Sequence, residues 1–252
     1  MSTPPTSLRD RAAQVVFARI GSNMPPPVTV EEDADRVEAL LERCPLGGLV
    51  LFNGDRAATP KTLARLQAQS PYPLLITADM ERGAGQALRG ATVFPHAMAY
   101  SALGDQAEAL AEASAGASAR EALAGGIHVT FSPVADVNTN ARNPIIATRA
   151  FGSKPEEVAR LVQAYLRGCQ KEGILTTAKH FPGHGSTQED SHAELPVVKS
   201  ARRELEAVDL LPFRAAIEAD VDLMMTAHVA FPALDERGLP ATLSRPILHD
   251  LL

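Results

Sequence analysis

The chain has 252 residues, 45% hydrophobic and 21% charged, and carries a net charge of −6. This length suits one large α/β domain or two small ones, and the acidic balance argues against nucleic acid or an anionic membrane as the main partner. No apolar run approaches the 18 residues of a membrane-spanning helix, and the polar N-terminus lacks a signal-peptide core. We therefore expect a cytoplasmic protein, in which Cys44 and Cys169 are unpaired thiols.

Short apolar runs bounded by Gly or Pro predict six buried strands. They are Gln14–Ile20, Gly48–Phe52, Leu74–Asp79, Val129–Asp136, Ile174–His180 and Leu223–His228. Between them the sequence predicts helices with recognisable ends. These are a helix after a Thr29–Glu32 capping box, one after Thr59 and Pro60, an Ala-rich helix over Asp105–Ala124, one opened by a Ser153–Glu156 capping box with Pro155 and closed by Gly173, and one over Leu205–Ala219 that is broken or kinked at Pro212.

The alternation of strands and helices indicates parallel strands joined by right-handed crossovers. Gly83-Ala84-Gly85 lacks the third glycine and the following helix of a dinucleotide-binding turn. Polar residues instead cluster where several predicted strands end, as in the active sites of (β/α)8 barrels. We predict an α/β fold of the (β/α)8 TIM-barrel type, incomplete because about six of the eight strands are present.

The segment from Lys179 to His192 concentrates titratable residues around glycines and a proline. An aspartate that accepts from a histidine two residues away can fix its tautomer, so Asp190 and His192 suit proton transfer near neutral pH. Lys179 and His180 are adjacent, and strand residues alternate in direction. Both side chains can reach one ligand only if this alternation breaks, so we predict a bulge or a non-proline cis peptide between them.

A metal centre is the weaker interpretation of the same segment. His180 and His184 have a ligand-like spacing and could be joined by Asp190 and His192. Pro182 and Gly183 lie between the two histidines, however, so they do not share a helix face. We expect neither a metal nor a cofactor.

The motif Lys179-His180-Phe181-Pro182-Gly183-His184-Gly185, followed by Asp190-Ser191-His192, resembles the signature of family 3 glycoside hydrolases of the β-N-acetylglucosaminidase type. Further segments extend the resemblance in the same order over about 200 residues: 47–52, 79–83, 132–138, 146–152 and 225–228. The resemblance implies a (β/α)8 barrel that removes terminal N-acetyl-β-D-glucosamine with retention, through a covalent glycosyl-enzyme. It implies a small carbohydrate substrate.

Carried over by position, the resemblance implies that Asp190 and His192 form the acid/base dyad, with His192 as the proton carrier. It implies a substrate-binding set made of Asp79, Arg149, Lys179, His180 and His228. Cationic donors and a carboxylate suit neighbouring sugar hydroxyls.

Two departures from the family pattern qualify the resemblance. Gly85-Gln86-Ala87 stands where the family has a sugar-binding arginine, a role that Arg89 could assume. The aspartate nucleophile that the family carries one strand after His228 has no counterpart before Leu252. We therefore expect residues 1–252 to be the N-terminal part of a single barrel domain, inactive in hydrolysis alone. A nucleophilic role for Asp79 or Asp136 is a minor alternative.

Rival functions remain open from the sequence. Within the family these are a β-glucosidase and a phosphorylase that passes the sugar to phosphate. Outside it they are an inactive sugar-binding fragment and a metal-dependent hydrolase.

Overall fold

The computed structural model describes residue 5 and residues 7–187 and 195–252. The strands are β1 (Phe17–Ile20), β2 (Gly48–Leu51), β3 (Gly54–Asp55), β4 (Leu75–Ala78), β5 (Leu88–Arg89), β6 (Val129–Thr130), β7 (Leu175–Phe181) and β8 (Leu223–Thr226). The α-helices are α1 (Leu8–Ala13), α2 (Val30–Arg43), α3 (Thr59–Gln69), α4 (Met98–Ser101), α5 (Ala107–Ala124), α6 (Pro155–Glu172), α7 (Arg202–Ala207) and α8 (Leu211–Glu218). A π-helical segment spans Pro246–Leu251.

The described chain divides into two compact units: residues 1–94 with 117–130, and residues 95–116 with 131–252. In the first unit β1, β2, β4 and β6 pair in parallel in that order, with Phe17 opposite Gly48 and Gly48 opposite Leu75. The central strands are buried, and Leu49 and Ile76 lie within the apolar core. Such near-continuous apolar strands are typical of parallel sheets covered by helices.

In the second unit β7 and β8 pair in parallel, with Thr177 opposite Leu223. Helices α6 and α8 pack together, and the rings of Phe181 and Phe213 meet edge to face with centroids 5.4 Å apart. Gly168 allows α6 to approach α5, since a methyl group there would lie 2.2 Å from the carbonyl oxygen of Glu112.

Parallel strands that alternate with helices confirm the predicted fold class, an incomplete α/β barrel. Six of the described strands belong to this parallel set, while β3 and β5 form a separate short pair. No helix within residues 7–187 or 195–252 is long and apolar enough to cross a membrane.

Several predicted element ends are confirmed. The Thr29–Glu32 capping box is present at the start of α2, with each side chain bonded to the other residue's backbone N–H. Gly173 ends α6 in the left-handed region at φ 82°. Pro212 lies in the first turn of α8, so the predicted break separates two helices, α7 and α8.

Two predicted helix caps are wrong. Thr59 is the first residue of α3 rather than its cap, and its hydroxyl accepts from the N–H of Asp55 and donates to Glu31. Lys154, not Ser153, caps α6, without a side-chain hydrogen bond. The hydroxyl of Thr59 therefore bonds to Asp55 and Glu31 instead of capping the first turn of α3.

The strand predicted over Val129–Asp136 is wrong beyond Thr130, because regular pairing stops at β6. Pro133 has no N–H to donate to a ladder. Single hydrogen bonds persist, from the N–H of Lys179 to Pro133 (3.1 Å) and from the N–H of Ala135 to Lys179 (2.7 Å). The chain therefore reaches Asp136 beside β7 without forming a continuous strand. The strand predicted from Gln14 likewise begins only at Phe17, since Gln14 caps α1.

Candidate active site

The geometry of β7 changes at Lys179 and His180, where the peptide bond is cis and the register with β8 shifts. The predicted interruption of strand geometry is confirmed. Lys179 is buried, with 2% of its surface exposed, and the side chain of His180 is 16% exposed. Both residues lie near the carboxyl end of β7, the end of a strand at which the polar groups of a barrel gather.

Asp136 binds this end of β7 through both carboxylate oxygens. Oδ2 lies 2.7 Å from Nδ1 of His180, and Oδ1 accepts from the backbone N–H of His184 at 2.7 Å. The backbone N–H of His180 lies 3.3 Å from each oxygen. Burial acts to raise the pKa of Asp136, but His180 and the backbone N–H of His184 outweigh it and hold the pKa below the ordinary value. Asp136 is fully buried, and its two oxygens hold the ring of His180 and the backbone N–H of His184.

The contact with Asp136 determines which ring nitrogen of His180 is left for other partners. An Nδ1–H donated to the carboxylate leaves Nε2 on the other edge of the ring. Nη2 of Arg149 lies 3.4 Å from that Nε2, and Nη1 of Arg149 donates to the carbonyl of Ile145 at 3.0 Å. The structure thus brings together His180 and Arg149, two residues predicted to bind substrate.

His184 is held in the wall of the site. Its Nδ1 lies 2.8 Å from Oγ1 of Thr187, while that hydroxyl donates to the carbonyl of His184 at 3.0 Å. Since the hydroxyl has one proton, Nδ1 of His184 must carry the other. Burial lowers the pKa of His184, which favours the neutral ring.

Asn143 forms hydrogen bonds to both the turn that contains His184 and the segment that leads to Arg149. Its Nδ2 donates to the carbonyl of His184 (2.8 Å) and to Oγ1 of Thr187 (3.2 Å). Its Oδ1 accepts from the N–H groups of Ile145 (2.9 Å) and Ile146 (2.8 Å), just before Arg149. The fully used amide fixes the Arg149 segment relative to the His184 turn.

The glycines of the motif are required by close packing. Gly183 has φ +133°, and a methyl group on it would lie 2.7 Å from Cβ of Asp209. A methyl group on Gly185 would lie 1.8 Å from the carbonyl oxygen of Val137. Neither position admits a side chain without backbone movement.

The other predicted site residues lie in different places. Asp190 and His192 fall within residues 188–194, outside the described part of the chain. His228 follows β8, is exposed, and its Nδ1 lies 2.8 Å from Oγ1 of Thr242. In the first unit, Asp79 follows β4 and is partly buried, and Arg89 on β5 is exposed with Nη2 3.8 Å from Asp55. The roles of these residues stay predictions.

The sequence did not single out Asn143 and Thr187 as part of the site, and it indicated Asp136 only as the end of a predicted strand and as a minor candidate nucleophile. Asp136 could have been ranked higher, because it follows a predicted buried strand directly, as Lys179 and His180 do. Asn143 and Thr187 gave no local signal, since their partners are more than 40 residues away or in an irregular turn.

The described residues give little basis for a metal ion. The rings of His180 and His184 are 6.0 Å apart between centroids, and the Nδ1 atom of each already has a partner. No group of three His, Cys, Asp or Glu side chains suited to a metal occurs within residues 7–187 and 195–252. The other two candidate ligands, Asp190 and His192, lie outside that part.

The chain is similar to known proteins that act on glycosides. A β-hexosaminidase of Stenotrophomonas maltophilia is 37% identical over 220 residues, covering 84% of this chain and 64% of the relative. A β-N-acetylglucosaminidase of glycoside hydrolase family 3 from Paenibacillus, at 40% identity, superposes with a TM-score of 0.89 over 98% of this chain and 47% of its own. A β-glucoside phosphorylase is 28% identical, with a TM-score of 0.87 over 98% of this chain and 44% of its own.

The chain spans between 39% and 66% of the length of curated relatives that it matches. Residues 7–252 match the model of the glycosyl hydrolase family 3 N-terminal domain, and this match covers nearly the whole sequence. The chain belongs to glycosyl hydrolase family 3.

Proposed function

We propose that the protein acts, as part of a longer polypeptide, as a retaining glycosidase that removes terminal N-acetyl-β-D-glucosamine. The observation that carries the proposal is the cluster of His180, Arg149 and Asp136 at the end of β7, in a chain related to β-hexosaminidases. Fixed, partly buried donors of this kind suit the hydroxyl groups of a pyranose.

The proposed roles follow the resemblance. His192, oriented by Asp190, protonates the leaving oxygen and later takes a proton from water. A histidine needs less pKa adjustment near pH 7 than the carboxylic acid that most glycosidases use. By the same resemblance, the proposed substrate-binding residues are Asp79, Arg149, Lys179, His180, Arg89 and His228.

The nucleophile is proposed to lie outside residues 1–252, since the curated relatives are longer than this chain. Without it a double displacement cannot form the glycosyl-enzyme. We therefore expect residues 1–252 alone to bind N-acetylglucosamine without turning over a glycoside.

The test uses the longest natural protein that contains this sequence. We expect release of 4-nitrophenol from its N-acetyl-β-D-glucosaminide, and loss of at least about 100-fold in kcat for His192→Ala. Asp105→Asn, an exposed carboxylate, is the matched control and should keep full activity. Turnover that is unaffected by His192→Ala would reject the proposed acid/base residue.

A second candidate is a β-glucoside phosphorylase, favoured by the structural neighbour of that name. A histidine base does not repel incoming phosphate as a carboxylate does. Faster consumption of the aryl glucoside when phosphate is added, with sugar phosphate as product, would favour this candidate. Sugar binding by the longer protein without turnover of either glycoside would favour a binding role.

A further inference from the structure

A second buried carboxyl, Asp209, lies behind the turn that carries His184. It sits in the connection between α7 and α8 and is only 2% exposed. Its Oδ1 has no hydrogen-bond partner among the described residues. A buried carboxylate without a partner is costly, whereas the neutral acid loses less.

Asp209 contacts the turn at its one glycine with a left-handed φ. A methyl group on Gly183 would lie 2.7 Å from Cβ and 2.8 Å from Oδ1 of Asp209, so the main chain runs directly against this side chain. The next residue, His184, donates its backbone N–H to Asp136. One short turn is therefore in contact with two buried carboxyls.

The charges around Asp209 oppose its ionisation. Burial, together with the negative charges of Asp136 and Glu204, raises the pKa of Asp209 to about 7, and its own backbone N–H offsets this only in part. His180 and His184 lie on either side of Gly183 in the sequence, and Asp136 is already engaged by the ring of His180 and by the backbone N–H of His184. Asp136 therefore ionises first as pH rises, and Asp209 keeps its proton in acidic solution.

We propose that Asp209 is a positioning residue of this site, an uncharged carboxylic acid that supports the turn at Gly183 while Asp136 holds the next residue. Ionisation of Asp209 in neutral to alkaline solution adds a second negative charge beside Asp136 and weakens the turn. This inference deepens the proposed function, since the turn belongs to the proposed sugar site, but its test needs no substrate.

The folded state holds the proton of Asp209 more tightly than the unfolded state does. The stability that this gives is complete below pH 4 and is lost as pH rises towards and through 7. Asp209→Asn keeps the shape of the neutral acid and cannot ionise. The urea concentration at the unfolding midpoint should therefore rise for this variant relative to the wild type between pH 4 and 7.5. Above that range the difference between the two midpoints should stay constant. The unfolding equilibrium constants should diverge by up to about 1,000-fold.

A matched control is Asp235→Asn. Asp235 is also buried, but it pairs with Arg237 and accepts from Ser244, which hold its pKa below the ordinary value. Its replacement should lower the midpoint most at neutral pH, opposite in direction to Asp209→Asn. If both variants respond to pH alike, the proposal is wrong.

A direct measurement is carbon-13 NMR of aspartate-labelled protein. The carboxyl resonance that disappears in Asp209→Asn should titrate near pH 7. The protection factor of the His184 amide, which corrects for intrinsic base catalysis, should fall above that pH in the wild type only. A midpoint near 4 overturns the proposal, and assignment of the carboxyl through the backbone of Asp209 in the wild type keeps this test available even if a variant fails to fold. Asp209→Ala should lose the protection of the His184 amide at every pH, whereas the Asn variant keeps it. Failure of the glycosidase assay leaves these results intact.

Discussion

Asp136 Oδ2 lies 2.7 Å from Nδ1 of His180, and its other oxygen accepts the backbone N–H of His184 at the same distance. One buried carboxylate thus orients a ring of the proposed sugar site and anchors the turn that follows it. Support of this kind from behind a binding group fixes its tautomer and direction. The geometry leads to predictions that purified protein can test.

Replacing Asp136 by Asn should destabilise the protein by roughly 2–4 kcal/mol, because it removes the charge from a buried, fully bonded acceptor. The wild-type pKa of Asp136 is lowered, so its contribution is present above pH 3.8 and is lost as pH falls through the folded-state value. Urea unfolding at pH 7 and at pH 3 measures both effects.

The control for that variant is Asp105→Asn, on an exposed carboxylate, which should change stability by less than about 0.5 kcal/mol. A deficit in Asp136→Asn that is as large at pH 3 as at pH 7 would show that the carboxylate charge is not what holds the turn.

Gly185→Ala should cost about 3 kcal/mol or more, since its methyl group would lie 1.8 Å from the carbonyl oxygen of Val137. Gly152→Ala is the matched variant, because its methyl group would meet only Ser101, at 3.9 Å. Thermal unfolding compares the two. Equal melting temperatures would mean that the turn at Gly185 yields easily.

Asn143→Ala should destabilise the chain by about 2–4 kcal/mol, because it leaves the buried N–H of Ile146 without its acceptor and separates the His184 turn from the Arg149 segment. Asn140→Ala removes two bonds at a partly exposed position, from Nδ2 to the carbonyl of Thr187 and from the N–H of Arg142 to Oδ1, and should cost about 1 kcal/mol. Urea midpoints rank the pair, and an equal cost would contradict the bridging role of Asn143.

The two thiols should react at very different rates. Burial raises the pKa of the Cys169 thiol to about 12, so little thiolate forms at pH 8. Cys44 is partly exposed at the end of α2. Titration with a chromogenic disulfide should detect one fast thiol in the native protein and two after denaturation. Cys44→Ser should abolish the fast reaction, and a fast thiol that persists would place Cys169 in an accessible position.

Local features of the fold were predictable because their causes lie within a few residues. The Thr29–Glu32 capping box and the end of α6 at Gly173 depend on side chains and φ angles at those positions alone. The interrupted geometry at Lys179 and His180 followed from the alternation of strand side chains. The predicted cap at Thr59 was wrong because its hydroxyl donates a hydrogen bond to Glu31, a residue 28 positions earlier.

The amino-acid sequence by itself determined the fold class and the family, because strand and helix periodicity and the motif beginning at Lys179 are local in the chain. Only the tertiary structure decided which groups support that motif. Asp136 is 44 residues before His180, and Asn143 is 41 residues before His184. Such contacts arise because parallel strands bring strand ends that are distant in the sequence to one edge, where the hydrogen-bond partners of each buried carboxyl decide which one stays charged.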